Sequence, residues 1–228
     1  MSYLRKNRNI YSDQKNVCDP DLQGVDLSRN YGFKFAYDDE GSSGDPCADD
    51  YRGPSAFSEP ETQAMRDFLD KYPGIKLAIN WHAYGNNMDM PYNYADENNS
   101  DFIDENPLAY QFLLNLAMAA PLDMKLGNRA KTTNHKTNGE VSDYMFGEKG
   151  ILAVSPEIGS SDFKSLTYYI EYPKTQLEML SSHNKWVYRA ALNLLPRLNM
   201  TLDHWSQKDQ TFHGEFSIKN RGLGRLHG

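Results

Sequence analysis

The stretch IKLAINWHAYG, residues 75–85, decides the fold of this chain. Its first half is an apolar run with branched side chains, and such a run predicts a buried β-strand. The run leads into the ionisable side chain of His82. Because loops at the carboxyl ends of strands in α/β proteins gather ligands, His82 is a candidate metal ligand or catalytic base. A buried histidine with a purely structural role is the alternative.

Helical segments alternate with this strand. Ser58 as N-cap with Glu61 three residues later forms a capping box, which predicts a helix that runs to about Lys71. A second helix is predicted to begin at Asn106-Pro107 and to stop at Pro121. A third is predicted from about residue 173 to 195. Alternating helices and strands are typical of an α/β domain with a mixed, mostly parallel sheet.

A second apolar strand also ends in an ionisable group. The stretch ILAVSPE, residues 151–157, finishes at Glu157. If both strands belong to one sheet, His82 and Glu157 lie along the same rim of it. By contrast, residues 24–31 predict only a short strand, and residues 38–54, rich in Gly, Ser, Asp and Pro, predict an irregular loop.

Composition excludes several function classes. The chain has 228 residues and a net charge of −7, with acidic and basic residues interspersed. This argues against a nucleic-acid-binding surface. No apolar run is long enough to span a bilayer, so no membrane partner is expected. We predict one main domain over residues 1–205, followed by a tail over residues 206–228 that resembles the beginning of a truncated β-rich domain.

Two cysteines bear on the cellular compartment. Cys18 and Cys47 stand in polar, loop-like surroundings, as two free thiols or as one disulfide. Their exposed flanks favour a disulfide that closes a long loop, and a disulfide implies an oxidising compartment. We therefore expect an extracellular or secretory-pathway location, although the first residues contain no signal peptide.

Several longer motifs share one order along the chain. They are RKNR (5–8), GVDLSRNY (24–31), DPC (45–47), YRGPSAFSEPE (51–61), HAYG (82–85), PY (91–92) and the strand that ends in Glu157. In this order they resemble the zinc carboxypeptidase A-like family over roughly residues 3–195. The resemblance implies a carboxypeptidase-like α/β sandwich and removal of the C-terminal residue from peptides by a zinc-activated water. Peptide or protein C-termini are then the expected partners.

The resemblance also implies roles for individual residues. Arg29 matches the arginine that binds the terminal carboxylate, and a planar guanidinium suits that task. Ser28 stands where the family has an asparagine, so the second carboxylate contact is expected to have a shorter reach. Arg5 matches the arginine that stabilises the oxyanion. Glu157 matches the general base. Lys6 and Arg8, in contrast, are expected to be solvated charges.

Three further positions are assigned on weaker grounds. Counting back from Asp143 without gaps places His135 at the family's flexible-loop tyrosine, with a plain surface histidine as an equal alternative. The same count places Ser142 at the base of the specificity pocket, where the lack of an acidic residue gives no sign of preference for Lys or Arg ends. Tyr84 is a candidate wall of a substrate subsite, with packing as the alternative.

The zinc ligands are incomplete in this sequence. A catalytic zinc takes three protein ligands and a water. His82 matches the third ligand of the family, whereas the other two come from a His-x-x-Glu motif that lies before the basic RKNR segment. None of the six histidines has glutamate three residues later. Zinc is the expected cofactor, with one ligand present.

Three interpretations remain open for this incompleteness. The favoured one is that the chain is a fragment of a secreted metallocarboxypeptidase, incomplete at its N-terminus. Alternatively, it is a catalytically inactive truncated homologue that binds peptide C-termini without hydrolysis. In the third interpretation, a separate chain supplies the missing ligands.

Overall fold

The computed structural model describes residues 5–15, 17–83, 85–98, 100–118, 124–157, 198–208 and 211–220. The chain divides into two compact units, Met1–Pro173 and Lys174–Gly228. The first unit contains all the predicted site residues. The predicted division at residue 205 stays a prediction, and a strand of the second unit runs across that position.

Helices of the first unit are short and lie mostly between strands. They are α1 (Pro60–Lys71), α2 (Ser100–Glu105), α3 (Pro107–Met118), α4 (Arg129–Thr133) and α5 (Val141–Gly147). Two 3-10 turns precede them, Pro20–Leu22 and Leu27–Arg29. No helix in the described part of the chain is long and apolar enough to cross a membrane.

Four strands of the first unit form a mixed sheet. They are β1 (Leu77–Ile79), β2 (Asn87–Asp89), β3 (Lys125–Gly127) and β4 (Leu152–Glu157), in the spatial order β1-β4-β2-β3. β1 pairs in parallel with β4, and β2 in parallel with β3, whereas β2 and β4 are antiparallel. The predicted mixed, mostly parallel sheet is therefore confirmed, with β4 paired on both sides.

A hydrophobic core joins the sheet to α1 and α5. Its buried members are Tyr31, Leu69, Val141, Tyr144, Met145, Ile151 and Ala153. Each buried aliphatic or aromatic side chain of this kind contributes about 1.5–3 kcal/mol through loss of water contact. Since Val141, Tyr144 and Met145 lie on α5, this packing fixes α5 against β4. It thereby also fixes the loop that precedes α5.

Local predictions from the sequence succeeded in part. The end of α1 at Lys71 and the start of α3 at Pro107 are confirmed. The N-cap of α1 is Glu59 instead of Ser58, whose hydroxyl donates to the Glu59 carboxylate at 2.6 Å. The strand predicted within residues 24–31 is wrong, because Asp26 caps a 3-10 turn there. The helix predicted from 173 to 195 lies outside the described residues.

The second unit contains a β-hairpin. β5 (Leu198–Lys208) pairs antiparallel with β6 (Thr211–Asn220), with a register shift between Leu202 and His204. The sequence predicted only that the tail over residues 206–228 resembles the beginning of a β-rich domain; β6 lies within that tail, whereas β5 begins before it. This hairpin is described separately from the first unit.

Two long-range links hold the irregular N-terminal segment. Cys18 and Cys47 form a disulfide, as predicted, across 29 positions of the chain. Lys6 is buried, and its Nζ donates to the carbonyl oxygens of Leu22, Pro46 and Ala48. The expectation that Lys6 is a solvated charge is therefore wrong. Both links tie the residues that flank Arg5 and Arg29 to the 38–54 loop.

We predict that removal of the disulfide by the double substitution Cys18→Ser and Cys47→Ser lowers the free energy of unfolding by about 3 kcal/mol. The reason is that opening a loop of this length restores conformational freedom to the unfolded chain. Urea unfolding of the oxidised protein and of the double variant measures the difference. Adding reductant should move the wild-type midpoint to that of the variant and leave the variant unchanged. Equal midpoints before reduction would contradict the prediction.

Candidate active site

A small cavity lies at the end of the sheet where β1 and β4 finish and β2 begins. It has a volume of about 70 Å³. Its lining is almost wholly polar and consists of Arg5, Ser28, Arg29, His82, Ala83, Asp89, Asn93, Arg129, Thr137, Glu140, Ser155 and Glu157. Five of the predicted site residues are therefore brought together here: Arg5, Ser28, Arg29, His82 and Glu157.

Sheet pairing places His82 beside Glu157. The two residues form an isolated parallel bridge just beyond β1 and β4, in which the His82 backbone N–H donates to the Pro156 carbonyl at 2.9 Å. Because side chains alternate along a strand, Ser155 and Glu157 face the same side of β4. Both line the cavity, as expected from their spacing.

One buried carboxylate organises the arginine side of the cavity. Asp26 Oδ2 accepts from Arg5 Nε at 2.8 Å, and Asp26 Oδ1 accepts from the Ser28 hydroxyl at 2.6 Å. Ser28 Oγ in turn accepts from Arg29 Nη1 at 3.0 Å. The only proton of the Ser28 hydroxyl is thus used on Asp26, so this side chain links Asp26 to Arg29.

The charges in this network shift the pKa of Asp26. Burial by itself raises the pKa of a carboxyl group. Here the positive charges of Arg29 and Arg5 and the hydrogen bond from Ser28 outweigh burial and hold the pKa of Asp26 below its usual value. Asp26 is therefore ionised at neutral pH and compensates the two cations.

Arg29 is a buried cation with a free donor. The residue is 8% exposed, and its Nε has no hydrogen-bond partner among the described residues. Nor does any carboxylate in the described part of the chain form a salt bridge with its guanidinium. Thr137, which lines the same cavity, likewise has a buried hydroxyl oxygen, Oγ1, without a hydrogen-bond partner among the described residues. Since unsatisfied buried polar atoms cost about 1–3 kcal/mol each, both atoms point to a polar ligand in the cavity.

Arg129 is a cavity residue that the sequence reading missed. Its Nη1 donates to Asp89 Oδ2 at 2.8 Å and to Glu157 Oε1 at 2.5 Å. Although burial lowers the pKa of a guanidinium, the charges of Asp89 and Glu157 raise the pKa of Arg129. Arg129 begins α4 and was not singled out from the sequence. The pattern of strands that end in ionisable residues did not predict a role for Arg129.

The remaining predicted residues lie elsewhere. Ser142 is fully buried behind the cavity wall, where its hydroxyl donates to the Glu140 carboxylate. His135 is exposed on the segment after α4 and is not among the lining residues. Tyr84 lies outside the described residues. Glu140, which the sequence did not single out, lines the cavity.

The described residues do not by themselves fit a zinc ion. A catalytic zinc requires three protein ligands, preferably His and Glu or Asp side chains. Among the residues that the structure describes, no group of three His, Cys, Asp or Glu side chains could hold a metal ion. His82 is the one histidine of the cavity lining, and Glu157 and Asp89 are both engaged by Arg129.

Comparison with known sequences identifies relatives of this chain. The sequence profile of the zinc carboxypeptidase family matches residues 2–181. A "Metallocarboxypeptidase A-like protein" of Trichophyton verrucosum is 32% identical over 142 residues, covering 59% of this chain and 32% of the relative. Carboxypeptidase A6 of Homo sapiens is 33% identical over 125 residues, covering 54% of this chain and 28% of the relative. The chain spans about a third of the length of these relatives.

Solved structures share the fold. A crystal structure of thrombin-activatable fibrinolysis inhibitor superposes with a TM-score of 0.54 at 26% identity, covering 67% of this chain and 36% of that one. Its bovine counterpart, solved in complex with a tick carboxypeptidase inhibitor, gives a TM-score of 0.61 at 23% identity, with 82% and 62% coverage. The predicted carboxypeptidase-like α/β fold is confirmed.

We predict that Asp26→Asn lowers the free energy of unfolding by about 3 kcal/mol at pH 7, because it leaves a buried guanidinium without its counter-charge. The pKa of Asp26 is lower in the folded state, so its contribution is complete above the unfolded value of about 4 and fades as pH falls below it. Thermal unfolding of the wild type and of the Asp26→Asn variant between pH 7 and pH 3 measures this. The difference between their free energies of unfolding should become smaller as the pH falls.

Asp39→Asn is the matched control for this prediction. Asp39 pairs with Arg52 at the surface, and its side chain is 82% exposed. The Asp39→Asn substitution should lower the free energy of unfolding by less than about 1 kcal/mol, as for other exposed ion pairs. A difference between wild type and the Asp26 variant that stays constant down to pH 3 would contradict the role assigned to the Asp26 charge.

Proposed function

The chain belongs to the zinc carboxypeptidase family, and from this membership we propose that it is part of a metallocarboxypeptidase that releases C-terminal residues from peptides and proteins. The site that recognises the substrate's free carboxylate is proposed to be Arg29. Hydrolysis is proposed to require further zinc ligands besides His82. The disulfide fits the proposed extracellular or secretory location.

The unpartnered Nε of the buried Arg29 guanidinium is the observation that carries this proposal. A buried cation with a free N–H, facing a polar cavity, has the charge and donor geometry for a carboxylate. Ser28 holds that guanidinium through Nη1 and is itself held by Asp26. The nearby Thr137 hydroxyl supplies another polar contact for the same ligand.

Arg5 and Glu157 are proposed to serve the reaction itself. The Arg5 side chain is about half exposed and is anchored through Nε, which leaves its terminal N–H groups for a developing oxyanion. Glu157 is proposed to take a proton from the attacking water and to pass it to the leaving amine. Zinc, when bound by a complete ligand set, polarises the reacting groups. For this role Arg129, which donates to Glu157 Oε1, must leave that oxygen free.

Binding of peptide C-termini without hydrolysis is the second candidate function. The specific observation in its favour is that Arg129 occupies Glu157 while the described residues lack a complete metal-binding group. In this case Arg29 still binds the carboxylate, but no peptide bond is cut. Binding and hydrolysis are therefore tested separately.

For binding, we predict that the 228-residue chain binds a peptide with a free C-terminus and that Arg29→Ala weakens this binding by about 100-fold. Two charge-assisted hydrogen bonds of about 1.5–3 kcal/mol each account for a loss of this size. Isothermal titration calorimetry measures it directly. Amidation of the peptide should cause a similar loss, because it removes the carboxylate charge.

Arg66→Ala is the control for Arg29→Ala. Arg66 is a half-exposed arginine on α1 that pairs with Asp67, and it is not among the residues of the cavity lining. Affinity should stay within twofold of wild type in this variant. Equal binding of free and amidated peptides by the wild-type chain would rule out carboxylate recognition by Arg29.

For hydrolysis, we predict that Glu157→Gln lowers kcat by about 10²–10⁴ in a protein that contains this chain together with a complete ligand set. Zinc content, measured by atomic absorption, should not change. Release of the C-terminal residue measures the rate. An active Glu157→Gln variant would remove Glu157 from the proposed role, and a wild-type protein with full zinc and no turnover would favour the binding function.

A further inference from the structure

A second cavity lies apart from the candidate active site. It has a volume of about 210 Å³ and is formed by the ends of β2 and β3, the turn before α2, and parts of α2, α3 and α4. Its lining consists of Met90, Glu97, Asn98, Ile103, Tyr110, Gly127, Asn128 and Lys131. None of these residues lines the first cavity. The function proposed above therefore leaves the second cavity without a role.

One wall of the second cavity is apolar and firmly held. Met90 is buried, and its backbone N–H donates to the Gly127 carbonyl at 2.8 Å. The half-buried Tyr110 packs edge-on against Phe102, with 6.0 Å between the ring centroids. An aromatic ring fixed in this way offers a rigid, mostly apolar surface to a ligand.

The polar part of the lining carries one charge of each sign. The stem of Lys131 passes over Gly127, where an added Cβ would lie 2.7 Å from Lys131 Cδ. Glu97 is the other charged lining residue, and both side chains are exposed. Neither forms a salt bridge in the described part of the chain. Together they offer hydrogen-bond donors and acceptors without net charge, which suits a neutral ligand that carries hydroxyl groups.

The sequence places an attachment point for such a ligand at the same cavity. Asn98-Asn99-Ser100 has the N-x-Ser pattern that accepts an N-linked glycan. Asn98 is exposed in a turn, two residues before α2 begins at Ser100, and it lines the second cavity. Glycosylated asparagines of this pattern stand in surface loops. Asn98 meets that condition.

The segment before Asn98 is tied to the start of α4. Asn128 is the N-cap of α4. Its Nδ2 donates to the carbonyl oxygens of Tyr92 at 3.1 Å, Ala95 at 3.1 Å and Asp96 at 2.8 Å. Because Asn128 also lines the cavity, one side chain fixes the turn that carries Asn98 relative to the rest of the lining.

We propose that Asn98 carries an N-linked glycan whose first sugar, an N-acetylglucosamine, lies in the second cavity against Tyr110. Tyr110 covers one face of this sugar, while Lys131 and Glu97 hydrogen-bond to its acetamido and hydroxyl groups. The inference rests on the proposed secretory location, which the disulfide supports, and is independent of the proposed hydrolysis.

Attachment is a substitution at C1 of the first sugar. Nδ2 of Asn98 forms a bond to C1, and the bond between C1 and the diphosphate of a lipid-linked oligosaccharide donor breaks. The diphosphate leaves with the bonding electron pair, and Nδ2 loses one proton. No group is oxidised or reduced. A transferase of the secretory pathway supplies the donor, so the reaction requires that this chain enters that pathway.

The other N-x-Thr pattern of the chain is not part of the proposal. Asn199-Met200-Thr201 lies in β5, where Asn199 pairs with Lys219 of β6. It therefore stands in a paired strand instead of a loop. A test of the inference has to observe Asn98 separately from Asn199.

The first test maps the glycan by site. The 228-residue chain would be directed into the secretory pathway of eukaryotic cells by an added leader. Peptide-N-glycosidase F in heavy-oxygen water then marks each glycosylated asparagine for mass spectrometry. We expect Asn98 to be marked in most molecules. Asn98→Gln and Ser100→Ala should each lose the mass of one glycan, whereas Ser100→Thr and the matched control Asn99→Gln, which both preserve the pattern, should keep it.

The same map of the natural protein, isolated from cells that produce it, separates the site from the location. An unmarked Asn98 in both preparations overturns the inference and leaves the proposed carboxylate binding intact. A glycan on the directed chain but not on the natural protein overturns the inference together with the secretory location. A glycan at Asn98 in both preparations supports it.

The second test asks whether the first sugar contacts Tyr110. Endoglycosidase H trims the glycan to a single N-acetylglucosamine, and Tm is compared with that of Asn98→Gln. The single sugar should raise Tm by about 2 °C, as expected for one aromatic contact. In a Tyr110→Ala background the rise should fall below about 1 °C, which makes the comparison a double-mutant cycle.

Tyr37→Ala is the matched control for Tyr110→Ala. Tyr37 is 57% exposed and is not among the residues that line the second cavity, so the rise in Tm should persist in this variant. If Tyr110→Ala does not fold, Tyr110→Leu, which retains an apolar contact with Phe102, takes its place. An equal rise with and without the Tyr110 ring overturns the placement of the sugar in the cavity.

Discussion

The pairing of β4 on both of its edges is the constraint on which the cavity depends. β1 lies parallel to it on one side and β2 antiparallel on the other. Each neighbour delivers one polar side chain to the cavity, His82 after β1 and Asp89 at the end of β2, while β4 itself delivers Ser155 and Glu157. A slip of β4 by one residue would turn both of its side chains to the opposite face. The strand's buried, apolar first half prevents that slip.

A second constraint is electrostatic and lies outside the sheet. A guanidinium as buried as that of Arg29 is costly unless nearby groups compensate it. Asp26 provides the charge and Ser28 the hydrogen-bonded link, so one carboxylate positions Arg5 and Arg29 together. The disulfide and the buried Lys6 fix the backbone around these residues. Ligand-binding groups are thus held by a segment with almost no regular secondary structure.

Features carried by local sequence were predictable. The apolar runs before His82 and Glu157 gave both strand ends, and Pro107 gave the start of α3. Features that depend on distant partners were not. Asp26 and Ser28 replace a strand with a capped turn, because the side chain of Asp26 bonds to the Ser28 N–H. Lys6 is buried because three carbonyl oxygens from separate segments converge on it.

Glu140 and Arg129 show the same limit within the site. Neither residue was singled out from the sequence, and only the packing of α5 against β4 and the ion pairs of α4 place them on the cavity. Counting positions back from Asp143 therefore led to Ser142, which is adjacent in sequence, while the charged group that reaches the cavity is two residues earlier. In an irregular segment, the distance along the chain does not say which side chain faces the ligand.

In the proposed function, recognition of a carboxylate and metal chemistry depend on different parts of this molecule. Arg29 and Thr137, the groups proposed to meet a carboxylate, both lie within the described residues. Arg29 is held there by Ser28, and the Thr137 N–H donates to the Asn93 carbonyl. The proposed metal chemistry rests instead on His82 together with ligands that the described residues do not provide. Because Arg29 and Thr137 are held by hydrogen bonds within the described residues, their positions do not require the metal ligands. Family membership is shown, whereas binding of a C-terminus and hydrolysis are consequently two separate proposals, each with its own residues.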